Sequence, residues 1–190
     1  MSTLPKTLLT EEQYLDLERA AEFRYEYLDG RMYAISGAPE GHVLIVGNLL
    51  RILRPQGCRA YSNDMRVRVS GRMYTYPDLV VACGDRKFLD ERRDTLLNPT
   101  LICEVLSEST ERYDRGRKFR HYQGIPSLRQ YVLVATDQMS VEVFTRQSDD
   151  SWLLRCGAGV TDTVELASIG CTVTVAEIYN DVEFDAEASA

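Results

Sequence analysis

Two stretches of this chain, Tyr76-Pro77-Asp78-Leu79-Val80-Val81 and Leu101-Ile102-Cys103-Glu104-Val105-Leu106, each place one carboxylate in a run that otherwise reads as buried strand. Continuous apolar runs of this length suit strands covered on both faces. Taking an ionised carboxylate out of water without a partner is very costly. Any fold that buries both runs must therefore compensate Asp78 and Glu104, with a metal ion or with a structural arginine. If the two strands are neighbours, the carboxylates converge at one end of a sheet. Carboxylate oxygens are the ligands a hard cation such as magnesium prefers, and the main-chain carbonyl of Val105 could add another. Such an ion polarises phosphoryl oxygens and lowers the pKa of a bound water, which is the core of phosphodiester hydrolysis.

The elements around these strands follow from local signals. Thr10-Glu11-Glu12-Gln13 has the form of a capping box and predicts a helix from Glu11 to about Ala21. Asp29-Gly30, between Arg24–Leu28 and Arg31–Ile35, predicts a hairpin turn. The apolar spacing from Val43 to Leu53 predicts a second helix, with His42 in its first turn either facing a ligand or capping the element. Arg59 to Asn63 and Met65 to Val69 read as short strands; in the second, Arg66 and Arg68 form a face open to water or phosphate. The charged segment Gly84 to Pro99 reads as a mobile loop, a lid or rim. After Ser109-Thr110 a helix rich in arginine runs to Tyr122 and carries Lys118, with Asp114 one turn before it. Strands follow at Gln130–Ala135, Ser140–Thr145 and Trp152–Cys156, then a weakly extended Thr163–Leu166 and a short helix within Val175–Asp181. The order predicts a mixed α/β fold with a central sheet flanked by helices, in one domain over 1–182 with an acidic, frayed tail over 183–190.

Composition narrows the function. A net charge of −7 argues against indiscriminate strong binding to nucleic acid. The cations are nearly all arginine, which suits bidentate contacts to phosphate or reflects a bias of the source genome. Five cysteines at wide spacing show no zinc pattern and read as inert, mostly buried thiols. No apolar run approaches the roughly 20 residues of a membrane span, and Met1 to Lys6 lacks an export signal, so a cytoplasmic location is expected.

Beside Asp78 and Glu104, Lys118 could orient a water or stabilise developing negative charge, with the neighbouring arginines on the nucleic-acid backbone. The alternative is an ordinary ion pair on a solvated helix. Glu26 likewise either belongs to a site or pairs with Arg24 or Arg31. Asp114 and Tyr122 suit supporting roles.

The sequence as a whole is similar to a known family. Tyr25-Glu26-Tyr27-Leu28-Asp29-Gly30, His42, Pro77-Asp78, Glu104-Val105-Leu106-Ser107-Glu108-Ser109-Thr110, Asp114-Arg115-Gly116-Arg117-Lys118-Phe119 with Tyr122, and Ile125-Pro126-Ser127-Leu128-Arg129-Gln130-Tyr131 together resemble the Uma-two family, proteins classed as restriction endonucleases of the PD-(D/E)XK nuclease superfamily. The resemblance runs from about Leu8 to Tyr179. It implies a restriction-endonuclease-like fold, magnesium or manganese on Asp78 and Glu104, and Glu26 as the acid preceding the core. The superfamily pattern places lysine two residues after the second acid, where this chain has Leu106; the resemblance implies that Lys118 reaches in from the next helix instead. The expected activity is metal-dependent hydrolysis of DNA phosphodiester bonds by a homodimer, since a duplex presents two strands. The alternatives are a nuclease-fold module that binds nucleic acid or protein without cutting, which the acidic charge and Leu106 favour, and a two-carboxylate sugar hydrolase, which the basic helix disfavours.

Overall fold

The structure, a computed structural model, describes residues 8–53 and 57–184; the tail beyond 184 lies outside the described residues. The capping box forms: the Gln13 amide donates to Thr10 Oγ1 at 3.2 Å and the Thr10 amide donates to Gln13 Oε1 at 2.9 Å. Helix α1 (Glu11–Ala20) begins there. Asp29 and Gly30 both take positive φ, 49° and 84°, as a two-residue Asp-Gly turn requires, and join β1 (Tyr25–Leu28) to β2 (Arg31–Ala34). Helix α2 (Glu40–Ile52) follows.

Six strands come next: β3 (Cys58–Ser62), β4 (Arg66–Ser70), β5 (Met73–Thr75), β6 (Leu79–Cys83), β7 (Thr95–Leu96) and β8 (Leu101–Val105). The crossover after β8 is helical from Glu111 to Tyr122, as α3 (Glu111–Tyr113), a π-helical turn (Asp114–Lys118) and α4 (Phe119–Tyr122). The chain ends with β9 (Gln130–Val134), β10 (Val141–Arg146), β11 (Trp152–Gly157), β12 (Thr163–Leu166), β13 (Cys171–Thr174) and α5 (Val175–Ile178).

The expected central sheet is mixed and six-stranded, in the order β11-β10-β9-β8-β6-β3, with β8 and β9 parallel around the helical crossover. A second, five-stranded sheet, β2-β1-β5-β4-β7, packs beside it, and β12 pairs with β13. Strand alternation sorts the central sheet's side chains into two cores. Leu79, Val81, Leu101, Cys103 and Val105 face α2 and α5; Val80, Ala82, Ile102 and Leu106 face α4 and the second sheet. By the period of two, Asp78 and Glu104 belong to the second face. A third cluster of Tyr14, Tyr27, Met32 and Tyr74 seats α1 on the outer side of the second sheet.

Three expectations are corrected. The arginines of β4 do not form an open face: β4 is an interior strand, Arg66 is 1% exposed, and it is held by Glu18, Thr95 and Asp94, while Arg68 pairs with Glu11. Gly84–Pro99 is no free lid. It contributes β7 to the second sheet, and Arg19 holds Asp90 and Asp94 at 2.6 and 2.9 Å. The cysteines are not all unpaired core thiols either. The β3–β6 register sets Cys58 opposite Cys83, and they form a disulfide; Cys156 is exposed. A separation of 25 residues hid that pair, because only strand register brings the two together.

Candidate active site

The β6–β8 register pairs Leu79 with Cys103, so one step further Asp78 stands opposite Glu104. Directly opposed residues of an antiparallel pair project from one face about 5 Å apart at Cβ. The contacts agree: the Asp78 amide lies 3.5 Å from Glu104 Oε2, and the Val105 amide donates to Asp78 Oδ2 at 2.8 Å. Val105 thus meets Asp78 through its N–H. His42, which caps nothing, places Nε2 3.2 Å from the same Asp78 oxygen.

Lys118 enters from the helical crossover. The π-helical turn takes an extra residue into its circuit, a device common at functional sites. Asp114, Lys118, Phe119 and Tyr122 face inward, whereas Arg112, Arg115, Arg117 and Arg120 stay exposed. The Lys118 ammonium sits 2.9 Å from Glu104 Oε1 and 3.5 Å from both Glu26 Oε1 and Asp114 Oδ1. Glu26 pairs with neither Arg24, which goes to Asp64 and the Asn63 carbonyl, nor Arg31; it accepts from the Tyr76 amide at 3.2 Å. Leu106, at the position of the missing lysine, is buried in the core beside Glu104.

Tyr122 supports Glu104, donating to Oε1 at 2.8 Å and meeting Thr75 at 3.0 Å, and the Tyr131 hydroxyl donates to the Asp114 carbonyl at 3.2 Å within the π-helical turn. Thr75 had no sequence signal, since β5 is three residues long, and Tyr131 stood only as the last residue of a motif in the family resemblance, with no role assigned to it. His42 was visible as a candidate, but its direction depends on how α2 docks.

Charge is out of balance here. Glu26, Glu104 and Asp114 surround one ammonium, and Asp78 adds a fourth carboxylate beside Glu104. Desolvation pushes the Glu104 carboxyl well above the usual carboxylate range, with Asp114 and Asp78 adding to it and Lys118 opposing it; Asp114 is raised for the same reasons. Lys118 is raised well above its ordinary value, because Glu104, Tyr122, Glu26 and Asp114 outweigh burial. The carboxylates are also only half used. Protein donors occupy Asp78 Oδ2 and Glu104 Oε1, while Glu104 Oε2 has only the long contact to the Asp78 amide. A hard cation fits such a donor set. Among the described residues no group of three or more His, Cys, Asp or Glu side chains that could hold a metal ion is found, so any ion here would rest on the two carboxylates.

Residues 11–176 match the model of the Uma2 family, described as "Putative restriction endonuclease". The chain belongs to that family. It is 34% identical over 187 residues to the uncharacterized protein slr1290 of Synechocystis sp. (strain ATCC 27184 / PCC 6803 / Kazusa), covering 95% of this chain and 96% of that protein. A second protein of that strain, sll1609, also uncharacterized, is 36% identical over 152 residues, covering 77% and 86%. A crystal structure titled as a "putative nuclease belonging to DUF820" from Anabaena variabilis ATCC 29413 superposes with a TM-score of 0.71 at 19% identity, over 90% of this chain and 97% of that one. The fold is restriction-endonuclease-like, and the family supports a nuclease in general terms. No helix of the described residues is long and apolar enough to cross a membrane.

Proposed function

We propose that the protein is a divalent-metal-dependent endonuclease that hydrolyses DNA phosphodiester bonds. The observation that carries this reading is the meeting of Asp78 and Glu104 across adjacent strands, with the Lys118 ammonium 2.9 Å from Glu104. Asp78 and Glu104 would hold magnesium or manganese through the oxygens the protein leaves free. Once bound, the ion supplies Lewis-acid polarisation of the phosphoryl oxygen and a water of lowered pKa. The chain's own groups do the rest. His42 and the Val105 amide fix the Asp78 carboxylate, Tyr122 fixes Glu104, and the long Lys118 side chain holds positive charge where the pentavalent phosphorane gathers negative charge. Glu26 and Asp114 set where that ammonium sits.

One observation favours the non-cutting module as a second reading. Lys118 has three N–H donors and three carboxylates within 3.5 Å, so an oxyanion must displace one of them. Supercoiled plasmid and single-stranded circular DNA, incubated with magnesium or manganese, separate the readings. The wild type cuts, Asp78→Ala and Glu104→Ala do not, and Lys118→Met is slowed about a hundredfold or more. Absence of metal-dependent cutting by the wild type, with manganese still bound, selects the binding module.

A further inference from the structure

The β1–β2 register pairs Glu26 with Tyr33 and Leu28 with Arg31. Opposed residues share a face, so Tyr33 and Arg31 project on the side of Glu26, the side on which Lys118 lies. The other side of β2 is spent on structure, with Met32 buried against Tyr14, Tyr27 and Tyr74. Tyr33 is 49% exposed on an edge strand, and its side chain has neither a hydrogen bond nor an aromatic partner among the described residues, unlike Tyr14, Tyr27 and Tyr74, which are stacked or hydrogen-bonded. Arg31 is exposed and unpaired among the described residues. At the adjoining turn, Arg72 and Arg117 approach the Asp29 carboxylate at 2.9 and 3.4 Å while remaining 81% and 56% exposed. Two guanidiniums meeting one small anion at a rim is also the geometry of a phosphate grip.

We infer that this face of β2, Tyr33 with Arg31, seats an unpaired nucleotide of the strand to be cut, the aromatic ring under the base and the guanidinium on a flanking phosphate. The inference rests on the nuclease reading and specifies its substrate. An exposed aromatic ring stacks only on a base released from its own stack. Three arginines on a protein of net charge −7 make a grip for one strand rather than a broad surface for a duplex.

The test is steady-state cleavage with manganese of a labelled 20-nucleotide single strand and its duplex, across a salt series, with melting curves to confirm folding. Tyr33→Ala is expected to raise KM for the single strand about tenfold with kcat little changed, and Tyr33→Phe to restore it. Arg31→Ala raises KM and lowers the salt slope of log KM by about one. Unchanged KM in both alanine variants, while the wild type cuts, overturns the seat and leaves the nuclease intact. A variant that changes only the assembled mass on sizing also overturns it, making β2 a self-association edge. If the wild type cuts nothing, the nuclease reading falls; fluorescence anisotropy with the same single strand then upholds the seat if both alanine variants lose affinity, and overturns it otherwise.

Discussion

The molecule buries two charge clusters, and they are built on different principles. Around Arg66, the guanidinium meets Glu18, Thr95, the Tyr76 hydroxyl and Asp94, and Arg19 joins through Asp94 and Asp90. Two guanidiniums answer three carboxylates, and the outcome is ionisation without strain: hydrogen bonds from Arg19 and Thr95 outweigh burial and hold Asp94 at about 2. Around Lys118, one ammonium answers the three carboxylates of Glu26, Glu104 and Asp114, with Asp78 close by, and Glu104 and Asp114 are raised instead. Burial is common to both. The unmet negative charge is not, and it is what the proposed function uses to seat a cation at the Lys118 cluster, while the Arg66 cluster locks α1 to β4 and β7. The two touch through Tyr76, whose hydroxyl belongs to the first and whose amide donates to Glu26 of the second.

The contrast breaks down if the clusters respond alike to perturbation. The largest difference is expected in urea denaturation. Arg66→Met leaves Glu18 buried without its partner, while Asp94 keeps Arg19, and should lose about 3–5 kcal/mol. Glu104→Gln removes a carboxylate the fold already strains to ionise and should stay within about 1 kcal/mol of the wild type. Equal losses would end the distinction. A smaller effect separates them by ligand: manganese at a hundred times its dissociation constant should stabilise the wild type by about 2.7 kcal/mol and Arg66→Met by the same amount, but not Glu104→Ala. Stabilisation of Glu104→Ala would place the ion elsewhere.

The smallest effect is the response to pH. Burial raises Glu104 well above its ordinary value and raises Asp114 in the same direction, so the native state holds more protons than the unfolded chain as these groups titrate. Metal-free protein should therefore lose stability as pH rises from about 4 towards neutral, by a few degrees in melting temperature, the response of a chain this size to about 1 kcal/mol. Glu104→Gln should flatten the slope. Asp94 acts in the opposite sense: its contribution is full above its ordinary value of 3.8 and fades as pH falls towards about 2.

The sequence by itself determined what had to be solved. Lone acids at Asp78 and Glu104 inside apolar runs, the capping box at Thr10 and the Asp29-Gly30 turn are local statements, and each is written in adjacent residues. Leu106 also announced that the customary lysine was missing. Which partners answered the acids was decided by tertiary structure, because register and helix docking are sums over many distant contacts. Register put Asp78 opposite Glu104, Cys58 opposite Cys83 and Tyr33 opposite Glu26. The interior place of β4 turned Arg66 from part of a face expected to be open to water or phosphate into a buried lock. The π-helical turn, invisible in a run whose helical propensity Gly116 already weakens, aimed Lys118 inward rather than to solvent. A charge pattern along a chain shows where compensation is needed; only packing shows which of several equally charged side chains supplies it.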